Sequence, residues 1–596
     1  MLMSTHEARL AALREVLKRQ GLDGFVVPIC DEHMSEYIGD YAQRLEWLTG
    51  FGGSAGSVVV LADRAAIFVD GRYTIQVRDQ VDGRLFEYVG TAQQSLADWL
   101  GENVPEGGAI GYDAWLHTRD WVKQASAKLA RRGAKLQPVE SNPVDAVWHD
   151  QPARPDAVMN PHPIAYAGRE SAEKRADIAQ WLNEQGLDAA VITALDSVAW
   201  VFNVRGGDVT HTPVTLSYGV VHKDGSADLY VAPEKVNDDL RQHLGNQVAL
   251  HSYDGFSKGL DALTGKAVAV DPERAVAAIF SRLEAAGAKI VARRDPSVLP
   301  RATKNSTEID GHRAAQARDG AAVSRFLHWL SIAAPQGGET ELSAAAKLLE
   351  FREATGKLID TSFDTISGAS SNGAICHYRV SEETNLPIVM DSLYLVDSGG
   401  QYLDGTTDIT RTIAIGTPTQ EMKRRFTQVL KGHIALATIR FPHGTSGGQL
   451  DALARQYLWA DGVDYAHGTG HGVGSFLAVH EGPQRIAAFG GQGEPLRPGM
   501  ICSNEPGYYK AGEFGIRIEN LVLVTPLEIA GAEHDVLGFE TLTFAPIDRN
   551  CIDPALLSPA ETDWLNAYHA RVMQVVAPQL DGDALVWLEQ ACAPIG

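Results

Sequence analysis

Apolar residues near the start of the chain recur with a helical period. Leu10, Leu13, Val16 and Leu17 form one stripe, Ser4 and Glu7 have the spacing of a capping box, and Gly21 supplies a left-handed stop. A strand is predicted at Gly24 to Val27. The unit returns later: Arg14 to Val27 aligns with Ala179 to Ile192, and Gly21, Leu22 and Asp23 are matched by Gly186, Leu187 and Asp188. A fainter echo pairs Glu46-Trp-Leu-Thr-Gly50 with Ala199-Trp-Val-Phe-Asn203. The pattern predicts two related α/β domains in tandem, residues 1–160 and 161–303. The prolines Pro152, Pro155, Pro161 and Pro163 mark the boundary between them. A second break near Asp295 to Pro300 precedes a long helix that Asn305 or Ser306 can cap.

From residue 304 to 596 the pattern changes to α+β. Helical stripes appear at Met422, Phe426, Val429, Leu430 and Ile434, and at Leu450, Leu453, Ala454, Tyr457 and Leu458. Strand-like runs cover Leu393 to Asp397, Thr406 to Ile415 and Ile516 to Val524. The first two can pair as a hairpin, which brings Asp397 and Asp408 together. In the third, Arg517 and Glu519 fall on one face.

Composition narrows the function classes. The 596 residues are 44% hydrophobic, ample for several cores, and 52 basic against 75 acidic residues leave a net charge of −23. Such a surface repels nucleic-acid backbones and anionic lipid, so neither nucleic acid nor a membrane is expected as a partner. No stretch approaches the roughly 18 consecutive apolar residues of a membrane span, and no cleaved signal peptide is expected. The five cysteines, Cys30, Cys376, Cys502, Cys551 and Cys592, are odd in number and widely spaced, which suits the reducing cytoplasm.

Two glycine-rich motifs mislead. Gly52-Gly-Ser-Ala-Gly56 matches the nucleophile-elbow pattern, but a strand, Ser57 to Leu61, is predicted after it where a helix is needed. Gly468 to Gly474 lacks the dinucleotide-binding spacing. No His-Glu-x-x-His occurs. There remain Asp397, Asp408, Glu505 and Glu519, with His471 among glycines. Singly, each acid reads as a turn cap, a strand-edge charge or an ion-pair partner. Clustered, four carboxylates would repel one another unless cations neutralised them. Two divalent ions match their charge, and an oxygen-rich set with one imidazole and no thiolate suits Mn²⁺, Co²⁺ or Zn²⁺.

The neighbours of these residues are distinctive. Val396 to Thr412 (Val-Asp-Ser-Gly-Gly-Gln-Tyr-Leu-Asp-Gly-Thr-Thr-Asp-Ile-Thr-Arg-Thr), His467 to Gly474, Val479-His-Glu-Gly-Pro483, Asn504-Glu-Pro-Gly-Tyr508 and Gly515 to Asn520 resemble the aminopeptidase P family, in the pita-bread group of metallopeptidases. The resemblance extends to two creatinase-like domains ahead of the catalytic one and is greatest to the three-domain cytosolic branch. It implies Asp397, Asp408, His471, Glu505 and Glu519 as ligands of a dinuclear, typically manganese, centre. In the family's pattern Asp408 and Glu519 would bridge the ions, Asp397 would hold one, and His471 with Glu505 the other. It further implies Glu505 as acceptor of the water's proton, His480 as donor to the oxyanion, His377 at the leaving nitrogen and His467 in the proline pocket. Arg517 orients the ligands at the edge of the substrate site. The resemblance also implies that Arg72, in Asp70-Gly-Arg-Tyr73, approaches the cleft, and that Trp459, one position off its helix stripe, lies at a homodimer contact.

The activity implied is release of the N-terminal residue from short peptides with proline in second place. Two other functions are compatible with the same fold: a prolidase-type Xaa-Pro dipeptidase, against which the two preceding domains argue, and a metal-free peptide-binding module, against which all five competent ligand positions argue.

Overall fold

Helix Thr5–Arg19 buries Leu10, Leu13, Val16 and Leu17, and the chain leaves it through Gly21 at φ 68° into strand Gly24–Pro28. The proposed cap Ser4 lies outside the described residues, which in this computed structural model are 5–488 and 493–596. The repeat reproduces each step. Helix Ser171–Gln185 ends on Gly186 at φ 67° and feeds strand Ala189–Ile192. Asp23 and Asp188 do the same work: each backbone N–H donates to the carbonyl of a neighbouring strand's first residue, Ala109 or Ala267. Each Oδ2 accepts that residue's N–H, at 2.8 and 2.9 Å. The fainter echo is structural too, since helices Arg44–Thr49 and Leu195–Phe202 end on left-handed residues, Gly50 and Asn203.

Both copies build six-stranded sheets of one topology. The first runs Glu87–Gly90, Ala65–Val69, Ser57–Leu61, Gly24–Pro28, Ala109–Tyr112, Lys135–Pro138. The second runs Val248–His251, Ala227–Val231, Ser217–His222, Ala189–Ile192, Ala267–Val270, Lys289–Ala292. In each, the repeated strand pairs antiparallel on one side and parallel on the other. Ser54 sits in a glycine turn before strand Ser57–Leu61 and shares a 2.7 Å hydrogen bond with Tyr73, so the elbow geometry is absent there. These sheets form one compact unit, up to Ile164 and Arg169–Val298; Ala165–Gly168 and Leu299–Gly596 form another.

In the second unit, Asn305 caps the long helix Ser306–Ala333 through a reciprocal box with Glu308. An antiparallel sheet of six strands runs Phe441–Pro442, Val536–Thr541, Asn520–Leu527, Ile501–Asn504, Gly470–Gly472, Glu481–Ile486. A second sheet pairs Ser392–Ser398 with Ile366–Ala369 on one side and Ile409–Ile415 on the other. Val323, Phe326, Leu327 and Leu330 of the long helix pack on Tyr394, Val396 and Ile409 of that sheet. The stripes Phe426, Val429, Leu430, Ile434 and Leu458 share another core. No helix among the described residues is long and apolar enough to cross a membrane.

Two of the expected strands are broken. Thr406 to Ile415 divides into Gly405–Thr406 and Ile409–Ile415, and Ile516 to Val524 divides into Phe514–Arg517 and Asn520–Leu527. At each break the chain changes partner. Phe514–Arg517 pairs with Gly507–Lys510, whereas Asn520–Leu527 pairs with Ile501–Asn504. The shared-face argument for Arg517 and Glu519 therefore fails, because alternation holds only within a continuous strand.

A candidate metal centre where the chain changes sheets

Asp408 stands at the first of these breaks, Glu519 at the second, and Glu505 between strands Ile501–Asn504 and Gly507–Lys510. At such points the backbone leaves one ladder for another, and side chains aim inward instead of to a sheet face. Asp397 lies in a continuous strand, but its register opposite Thr410 sets it two residues from Asp408 across the hairpin. His471 comes from the short strand Gly470–Gly472, where a register shift turns the chain. Gly470 and Gly472 are required there, since an added Cβ would lie 2.0 Å from the Ser503 carbonyl oxygen and 2.2 Å from that of Glu481.

Asp408, His471 and Glu519 each offer a donor atom within 4.8 Å of the other two. His471 Nδ1 is 2.9 Å from the Gly472 carbonyl, to which it donates, leaving Nε2 to face Asp408 Oδ2 at 3.4 Å and Glu505 Oε1 at 3.6 Å. Two donors about 2.1 Å from one ion lie roughly 3.0–3.4 Å apart. The spacing fits shared coordination better than a hydrogen bond. Asp397 is buried, and its Oδ1 has no hydrogen-bond partner. An orphaned carboxylate oxygen at this position is costly unless a cation takes it.

Protonation tells the same story. Burial first, and then Asp408, raises Asp397 from 3.8 to about 6 against the pull of Arg517. Burial and the neighbouring acids hold Glu519 well above the carboxylate range, and Glu505 is raised by burial despite His471. Burial lowers His471, but Asp408 and Glu505 outweigh it and lift the imidazole to about 9. Acids packed this closely repel one another even with Arg517 beside them, and the donor set fits divalent ions, which would offset that charge.

Arg517 supplies part of that charge. Its Nη2 donates to Asp397 Oδ2 at 2.6 Å, Nε to Thr410 Oγ1 at 3.1 Å, and Nη1 to Tyr509 Oη at 2.5 Å and to the Cys376 carbonyl at 3.3 Å. The Thr410 hydroxyl in turn donates a hydrogen bond to Glu519 Oε2 at 2.8 Å. Ser503 Oγ accepts from His471 N and donates to Glu505 Oε1. Thr410, Tyr509 and Ser503 escaped the sequence reading, although Thr410 lies within a quoted motif and Tyr509 one residue beyond another. Hydroxyls carry no charge pattern, so only contact reveals them.

The three histidines border this network. His467 Nε2 and the Tyr509 hydroxyl are 2.8 Å apart, and His467 Nδ1 lies 2.7 Å from the Gly468 carbonyl and 3.9 Å from Glu505 Oε2. His480 stands edge-on to His471, ring centroids 4.3 Å apart. His377 rides a loop pinned on both sides, by Arg517 at the Cys376 carbonyl and by Glu341 at the Tyr378 hydroxyl. Arg72 lies in the other unit, forked onto Asp70 and 5.2 Å from the Tyr73 ring. Trp459 ends its helix 47% exposed.

Residues 310–526 match the model of metallopeptidase family M24 and 535–595 that of its C-terminal region. Residues 9–147 and 150–308 match two creatinase/prolidase N-terminal domain models. A probable Xaa-Pro aminopeptidase P of Paracoccidioides brasiliensis is 39% identical over 98% of this chain and 99% of its own. Aminopeptidase P2 of Arabidopsis thaliana is 38% identical over 99% of this chain and 88% of its own. An X-prolyl aminopeptidase from Caenorhabditis elegans, described as a cytosolic enzyme with a di-nuclear active site, matches all of both chains with TM-score 0.94 at 33% identity. An Xaa-Pro dipeptidase from Bacillus anthracis, 25% identical with TM-score 0.52, covers 64% of this chain and 99% of its own. With two creatinase-like domains ahead of a pita-bread catalytic domain, the chain belongs to the aminopeptidase P family of M24 metallopeptidases.

Proposed function

We propose that this chain hydrolyses the first peptide bond of short peptides with proline in second place, using two divalent ions held by Asp397, Asp408, His471, Glu505 and Glu519. The observation that carries the reading is the group of buried Asp408 and Glu519 with half-buried His471, beside an unpartnered Asp397 oxygen. Manganese is the ion proposed, with cobalt or zinc compatible, since the donors are oxygens plus one imidazole.

Bound ions would lower the pKa of water and polarise the scissile carbonyl. Glu505, whose affinity for protons is raised by burial, accepts the water's proton. His480, beside His471, donates toward the oxygen on which charge develops. His377 serves the leaving nitrogen, which in proline carries no hydrogen and needs a proton to depart. His467, steadied by Tyr509, shapes the proline pocket, and Arg517 holds Asp397 in place. Arg72 is proposed as a further substrate contact and Trp459 as part of a homodimer surface. All five cysteines are free thiols, in keeping with a cytoplasmic location.

The dipeptidase reading is disfavoured because the Bacillus dipeptidase covers only 64% of this chain. A grid on chelator-stripped protein decides, crossing Mn²⁺, Co²⁺ and Zn²⁺ with Xaa-Pro-Xaa and Xaa-Pro peptides. Metal-dependent cleavage of the tripeptide is expected. Preference for the dipeptide overturns the substrate assignment, and activity without any metal overturns the centre.

A further inference from the structure

Arg411 lies behind the carboxylate cluster, buried, and its hydrogen-bond partners are all neutral. Its Nη1 donates to the carbonyls of Thr410 at 2.9 Å and Glu519 at 2.6 Å. Its Nη2 donates to Asn520 Oδ1, the Ala545 carbonyl and the Tyr568 hydroxyl at 2.8–2.9 Å, and Nε to the Pro546 carbonyl at 3.0 Å. One side of the guanidinium thus grips the backbone that carries the ligands, and the other grips the segment that matches the family's C-terminal region, residues 535–595.

The grip falls where regular structure is missing. Glu519 lies between two strands that belong to different sheets, so no ladder fixes its carbonyl. Its N–H donates to the Thr410 carbonyl at 3.2 Å, and Arg411 holds both carbonyls of that junction. A rigid fork of donors can replace a ladder in this way, whereas a point charge cannot. Tyr568 is itself immobilised: it stacks on Trp564 at 5.4 Å with rings 4° from parallel, and its hydroxyl also contacts the Thr543 and Ala545 carbonyls.

We propose that Arg411 is a positioning residue for Glu519, whose carbonyl it holds directly and whose carboxylate the adjacent Thr410 hydroxyl engages, and that the C-terminal segment, through Tyr568 and the Ala545 and Pro546 carbonyls, sets how tightly the centre holds metal. The inference rests on the metal-centre reading above. Groups that orient ligands without touching the ion typically change metal affinity by about 10- to 100-fold.

The test uses the full chain, stripped with chelator and titrated with Mn²⁺ by calorimetry. Arg411→Lys keeps the charge and loses the fork; Tyr568→Phe keeps the aromatic stack and loses the hydroxyl. Both should bind Mn²⁺ on the order of tenfold more weakly, and the double variant should be no weaker than Arg411→Lys alone, because both act through one guanidinium. Unchanged Mn²⁺ affinity in variants of lower thermal stability overturns the proposal, since a merely structural role predicts that result. If Arg411→Lys fails to fold, Tyr568→Phe decides alone. A wild type that takes up none of Mn²⁺, Co²⁺ and Zn²⁺ overturns the centre and this inference together, whereas equal Mn²⁺ affinity in wild type and variants overturns this inference only.

Discussion

Replacing Asp397 with Asn separates the cost of this site from its use. The carboxyl is raised from 3.8 to about 6, and at about 1.4 kcal/mol for each pKa step the ionised form costs the metal-free fold about 3 kcal/mol. The sign follows from proton binding. Below 3.8 both folded and unfolded chains are protonated. Between there and about 6 the unfolded chain releases its proton first, so metal-free stability falls with rising pH and stays lower above. Asn cannot titrate, yet its oxygen can still accept from Arg517 Nη2. Stripped Asp397→Asn should therefore exceed stripped wild type in stability at pH 8 by up to about 3 kcal/mol and match it near pH 3.5. Urea unfolding of stripped protein at the two pH values measures this, and calorimetry should show the variant losing one of two Mn²⁺ sites. A variant clearly less stable than wild type at pH 8 would refute the reasoning, showing that the pair with Arg517 is a net stabiliser and that the buried charge is not held at a cost.

Glu341 accepts from Ala369 N, Asn372 Nδ2, the Tyr378 hydroxyl and Leu386 N, so it organises the loop that bears His377. Glu341→Gln turns a donor toward donors and should lower kcat/KM by roughly tenfold, at about 1.4 kcal/mol per factor of ten, with Mn²⁺ affinity unchanged; a parallel loss of metal would contradict that role. Trp459→Glu places a charge on the proposed dimer face and should yield monomers in sedimentation at micromolar concentration, whereas an unaltered oligomer would remove Trp459 from the contact.

Buried ion pairs recur beside the segments that carry His467 and His480. Arg455 pairs with Asp451 and donates to the carbonyls of Tyr465 and His467. Lys304 and Arg301 flank Glu481, the residue after His480. Such pairs contribute little net stability, because desolvation offsets their attraction. Arg455 in addition holds the Tyr465 and His467 carbonyls, which lack a ladder partner.

Local pattern alone determined the tandem α/β copies, the capped long helix and the hairpin of Asp397, whereas the candidate ligand set came from the family resemblance of the motifs around it. The copies, the helix and the hairpin follow from periodicity, from a helix stop or from residue type at fixed spacing, which act over a few neighbours. Tertiary structure decided where strands break, because a ladder ends when its partner does, and the partners of Asn520–Leu527 and Ile409–Ile415 lie elsewhere in the chain. It also decided which hydroxyls and cations stand behind the ligands. Thr410, Tyr509, Arg411 and Tyr568 acquire their roles from contacts across as many as 157 residues, a separation at which no sequence period survives.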